Sequence, residues 1–203
     1  MTTATLVLPS PATGTRVFVA LVLWFSVLFG LGVAGLLERP FPPLVPLGLA
    51  AATAAVILAA RRNASLRAWI GAIDLRIAIA YHVLRAPIGV WFLAEYASGA
   101  LPGELALRAG WGDIATGVLA LAVLPLGLAT RRDRRLVWAW NAFGLVDIAM
   151  VVLTAQKLLV IDHSPQLLAL GFPFMLLPWF VVPLVIATHV LIFARLRTAA
   201  RDA

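Results

Sequence analysis

Six continuous apolar runs, at positions 16–37, 43–60, 75–97, 105–129, 136–158 and 173–195, constrain this chain more than any other feature. A run of about 20 residues is the length at which an α-helix crosses a hydrocarbon core about 30 Å thick. Each run is accordingly read as a membrane-crossing helix. The expected fold class is therefore all-α: a polytopic membrane protein, a bundle of six transmembrane helices forming one domain over residues 15–203. Residues 1–14, MTTATLVLPSPATG, hold no helical pattern and are expected to be a flexible tail. Composition agrees, since 63% of the 203 residues are hydrophobic and only 12% are charged, far from a soluble domain.

Orientation follows from where the basic residues fall. RRNASLR, RRDRR and the tail RLRTAARDA alternate with ERPFPP, SGALPGE and IDHSPQ, which are poor in arginine. The positive-inside rule then places both termini and the RRDRR loop in the cytoplasm, with the protein in a bacterial cytoplasmic membrane. On this reading the net charge of +7 reflects topology, and the bilayer rather than nucleic acid is the partner. The first run ends in small residues as a signal peptide does, but only Arg16 precedes it, so an uncleaved helix is expected. SLRAWIGAIDLR, after Arg62, mixes Trp69 and Ile70 with Arg67, Asp74 and Arg76 as an interfacial turn of helix would. Pro87, Pro125, Pro178 and Pro183 are expected to kink or end their helices.

The chemistry available is narrow. There are no cysteines, and no P-loop, Rossmann glycine pattern or HExxH occurs, so no metal site or nucleotide hydrolysis is expected. Attention falls on full charges inside apolar runs. Asp113, Asp147 and Arg85 each lie roughly 12 to 16 Å from a predicted membrane surface at 1.5 Å per residue. A carboxylate at a helix centre costs about 3 kcal/mol, so each needs a partner or a proton. At 100° per residue, Tyr81, His82, Arg85 and Tyr96 fall within about 60° of one line on the third run. On the fifth, Trp140, Asp147 and Thr154 share a face, with Asn141 turned away. The fourth and fifth runs also match each other: aligned on the aspartates, Gly110 pairs with Gly144 and Asp113 with Asp147. Consecutive helices run in opposite directions, so a true repeat would have an axis in the membrane plane and would bring the aspartates together. Gly110, Gly112, Gly117 and Gly144 would then allow close contact between the two helices.

The leading reading is that Asp113 and Asp147 flank Arg85, with one aspartate protonated or bonded to a ligand. Together with Trp140 and Tyr96 they form the candidate site for binding or proton-linked movement of a small solute or amphiphile. A purely structural ion pair is the bland alternative. His82 and His189 both come out about 10 Å deep, the minimum requirement for a bis-His haem b in a membrane electron carrier. An enzyme using an aspartate as general acid on a lipid-like substrate is a third class, so catalysis stays open. GWGD resembles the GxGD signature of presenilin-type intramembrane aspartyl proteases. The likeness covers four residues, and the YD and PAL motifs of that family are missing, which argues against a protease. Near the outer face, Glu95, Tyr96, Glu104, Arg108, Lys157 and Asp162 form either a solute entrance or an ordinary charged rim.

Overall fold

The computed structural model describes residues 11–37, 42–126, 128 and 130–201, with no side-chain description beyond 198. All its elements are helical: α1 (Pro11–Val33), α2 (Leu44–Arg62), α3 (Ala64–Ala72), α4 (Leu75–Tyr81), α5 (Arg85–Ala97), α6 (Gly103–Val123), α7 (Arg131–Gln156), α8 (Pro165–Leu168) and α9 (Val182–Arg201). Among the described residues, six stretches are long and apolar enough to cross a membrane: Pro11–Val33, Leu44–Arg62, Leu75–Ala97, Gly103–Val123, Arg131–Ile161 and Leu177–Thr198. They coincide with the six runs read from the sequence. α1 starts at Pro11, inside the segment expected to be a tail, while residues 1–10 lie outside the described residues, as does much of the ERPFPP connection.

Helix ends are set by local chemistry. Asn63 caps α3 by accepting from Leu66 N at 3.0 Å, and Asp74 caps α4 through Arg76 N at 2.9 Å. Thr130 caps α7 through Asp133 N at 3.0 Å, and Asp133 places a carboxylate in that helix's first turn, where it favours the positive end of the dipole. Prolines mark the irregular points. Pro87 has no N–H for the carbonyl four residues earlier, and the span tightens there to a 3₁₀ turn at His82–Leu84. Pro178 lies in a π turn, Leu177–Val181, that leads into α9. α6 stops at Val123, two residues before Pro125, short of the expected 129.

α5, α6, α7 and α9 form the packed centre. One core cluster joins Phe92, Leu105, Ala109, Ile148, Val151 and Val185; another, toward the arginine-rich end, joins Leu75, Ile79, Val123, Val137, Ile192 and Leu196. α1 and α2 stand at the periphery, with 11% of each apolar window buried, and Phe18, Leu23, Val33 and Leu47 face outward. Large apolar side chains on the outside are the expected finish for a bundle solvated by lipid tails.

Glycines decide how near the central helices come. A Cβ on Gly117 would lie 2.6 Å from Ala86 N, and one on Gly110 would lie 2.5 Å from Leu93 Cδ2; both residues face α5. Only Gly112 and Gly144 serve the α6–α7 contact. The expectation that all four glycines join those two helices is corrected accordingly: α6 is wedged between α5 and α7 and needs small residues on two faces.

Candidate functional site

Arg85 opens α5 immediately after the 3₁₀ turn and points into the centre of the bundle, its side chain 3% exposed. Its Nε donates to Asp113 Oδ1 of α6 at 2.6 Å, and its Nη2 donates to Asp147 Oδ2 of α7. Nη1 donates to the Gly144 carbonyl at 3.0 Å and lies 3.4 Å from His189 Nε2 of α9. One guanidinium thus ties four helices together through the planar fork that distinguishes Arg from Lys. The carboxylates are unequal, because the Asp113 side chain is 6% exposed and that of Asp147 is 11% exposed.

Absent side chains make room for this arrangement. A Cβ on Gly112 would overlap the Asp147 carboxylate. One on Gly144 would lie 2.7 Å from His189 Cε1 and 2.8 Å from Thr116 Cγ2. The sequence match therefore corresponds to aspartates that meet at one guanidinium, but the matched glycines differ in role: Gly110 faces α5, whereas Gly144 faces α6 and α9.

Histidine extends the cluster away from the charges. His189 Nδ1 is 2.8 Å from Asn141 Oδ1, and Asn141 Nδ2 donates to the His189 carbonyl at 3.0 Å. A proton on Nδ1 satisfies this pair and leaves the Nε2 lone pair facing the guanidinium. His82 lies against His189 with ring centroids 4.1 Å apart and planes 35° apart, and its Nε2 is 3.1 Å from Thr188 Oγ1. Trp140 packs on both imidazoles, at 5.4 and 6.0 Å, and donates to the Thr116 carbonyl at 3.0 Å. His82 Nδ1 and Thr116 Oγ1 are buried with no hydrogen-bond partner among the described residues.

Several expectations change here. His82 and His189 do adjoin, in an arrangement that leaves no gap for a haem between their rings. A bis-His haem holds its imidazoles on opposite faces of a macrocycle, each aiming a nitrogen at the iron, whereas these rings are stacked on each other. Their Nε2 atoms are directed at Thr188 and Arg85. Tyr96 is on the Arg85 side of α5 but about three turns, roughly 16 Å, further along; it is 44% exposed and lies over Gly103. Asn141, set aside as turned from the Asp147 face, is fully buried. α7 packs against α6 on one side and α9 on the other, so it buries two faces, while Phe143, Val146 and Leu153 lie on an exposed third. Asn141, Thr116, Thr188 and the Gly144 carbonyl are the participants missed by the angular reading.

Neither of two cavities is lined by Arg85, Asp113 or Asp147. One, of about 120 Å³, is bounded by apolar residues including Leu49, Phe92, Val151 and Phe174. The other, of about 540 Å³, lies between α2, α3 and α9. At the opposite end of the bundle, Lys157 Nζ contacts Asp162 at 2.6 Å and Glu104 at 3.7 Å, all of them substantially exposed. This is a solvated rim. Lys157→Ala should leave thermal unfolding in detergent essentially unchanged, because exposed ion pairs contribute little. A clear loss of stability would show that the rim helps hold the bundle.

Six apolar helices around a buried Arg/Asp cluster define a helical protein with the make-up of a multi-pass membrane protein. Within that class, the chain belongs to the family described as Domain of unknown function (DUF8737), whose model matches residues 42–197, from the entry to α2 nearly to the end of α9. No curated protein and no solved structure matches the chain.

Proposed function

We propose that the Arg85–Asp113–Asp147 cluster is a proton-binding site in a membrane protein that links proton uptake and release to movement of a small solute or amphiphile. The observation that carries this reading is the charge count. One guanidinium faces two carboxylates, and its neighbours are a carbonyl and a histidine lone pair, so the ionised cluster carries one surplus negative charge. An unpaired buried charge is costly, and a single proton cancels it. Neither of the two cavities described above is lined by the three charges, so a proton fits the site as it stands, and a solute would need an opening there. Asp147, the more exposed carboxylate and the one seated against Gly112, is the group from which the proton exchanges.

A hydrophobic carbodiimide tests this, because it modifies protonated carboxyl groups that are reachable from an apolar phase. Asp147 should be the modified residue by peptide mass spectrometry. Modification should fall several-fold in Asp113→Asn, where one carboxylate alone balances Arg85. Absence of modification at Asp147, or equal modification in Asp113→Asn, would contradict the reading.

The arginine asymmetry supports both termini in the cytoplasm, with the α5–α6 connection outside. Arg132 and Ala100 are both exposed, so Ala100→Cys should react with an impermeant maleimide in intact cells and Arg132→Cys only after lysis. The reverse pattern would invert the topology.

A further inference from the structure

The bundle carries a second, separate feature at its arginine-rich end. The 540 Å³ cavity between α2, α3 and α9 has Ile57, Leu184 and Leu191 along its walls and Arg61, Arg67 and Arg195 among the residues around it, and no carboxylate lines it. Two of these arginines are anchored by backbone. Arg195 Nη1 donates to the carbonyls of Ile70 and Ile73, and Arg67 Nη1 donates to the Arg61 carbonyl. Each bond uses one nitrogen of a guanidinium that has five N–H donors, so most of that capacity stays available. The Arg61 side chain is exposed and makes no hydrogen bond or ion pair among the described residues. Three cations at the end of an apolar slot, without a counter-charge, match a molecule that has an anionic head and a hydrocarbon tail. Basic pockets between transmembrane helices hold phospholipid headgroups in this way, and guanidinium pairs with phosphate by forked hydrogen bonds.

We propose that this cavity binds one anionic phospholipid, with its phosphate among Arg61, Arg67 and Arg195 and an acyl chain along Ile57, Leu184 and Leu191. The site is distinct from the buried charges: Arg85, Asp113 and Asp147 do not line it, although Thr188, which contacts His82, borders both.

Native mass spectrometry of the purified protein, with phosphatidylglycerol and phosphatidylcholine of identical chains, tests the proposal. One phosphatidylglycerol should be retained at least about tenfold more tightly than phosphatidylcholine. Arg61→Gln, which removes a side chain without a structural partner, should lower that affinity several-fold, and Arg61→Gln with Arg67→Gln should abolish the preference. Ala187→Trp, which fills the slot, should weaken phosphatidylglycerol while leaving the arginines in place. Inorganic phosphate at equal concentration should not compete. Equal retention of the two lipids, an unchanged preference in the double variant, unchanged affinity in Ala187→Trp, or competition by inorganic phosphate would each overturn it.

Discussion

Arg85→Ala is expected to destabilise the protein by roughly 3 to 5 kcal/mol, the cost of breaking a buried ion pair by removing one partner. Two carboxylates would lose their only cation among the described residues, and the Gly144 carbonyl would lose its side-chain donor. The attachment of α5 to α6, α7 and α9 at that depth would go with them. Replacing the whole cluster, as Arg85→Met with Asp113→Asn and Asp147→Asn, should restore most of the loss, because no charge is then left unpaired. Thermal unfolding in lipid nanodiscs compares the three proteins. A single variant within about 1 kcal/mol of wild type would mean that the aspartates find another partner. The triple variant matters for function as well: it should fold and yet no longer bind a proton, separating the structural role of these residues from the chemical one.

Gly89→Ala is the second large effect, although it adds one methyl group and touches no charge. Its Cβ would fall on the Gly110 carbonyl oxygen and would lie 2.9 Å from both Ile114 Cγ1 and Ile114 N. Backbone atoms cannot rotate aside, so α5 and α6 must separate. Arg85, one turn along α5, would then draw away from Asp113. Overpacking of this kind costs about 1 to 3 kcal/mol, and here weakening of the ion pair adds to it. Gly30→Ala and Gly71→Ala are controls, since a Cβ at either position meets nothing within 4 Å; they should be neutral or slightly stabilising. If Gly89→Ala unfolds at the control temperature, the close approach of α5 and α6 does not contribute to stability.

What the sequence displayed, and what it concealed, follows from how lipid acts as a solvent. Arg85, Asp113 and Asp147 were visible because a full charge inside an apolar run has to be matched within the protein, and three charges on three neighbouring spans leave few pairings. The six spans were visible for the same reason of solvation. Helix neighbours were not, because residues facing lipid and residues facing protein are equally apolar, so hydropathy does not say that α9 lies beside α4 and α7. That adjacency decides the fate of both histidines: it stacks them and gives His189 to Asn141. Tyr96 shares the face of Arg85 but lies about three turns further along the span, a separation that the rise per residue already implied. Asn141 failed because one polar face was assumed for a helix that is buried on two. The 3₁₀ turn at His82–Leu84 was foreshadowed by Pro87, but its consequence, Arg85 as the first residue of a new helix, needed the structure.

Infrared spectroscopy of the purified protein in lipid at neutral pH observes directly the single proton proposed between Arg85 and two carboxylates. The wild-type spectrum should contain the carbonyl stretch of one un-ionised carboxylic acid, shifted in heavy water. Asp113→Asn and Asp147→Asn should each abolish it, because the remaining carboxylate is then balanced by the guanidinium. A wild-type protein whose carboxyl groups are all ionised, or a band that survives both substitutions, would contradict the proposal.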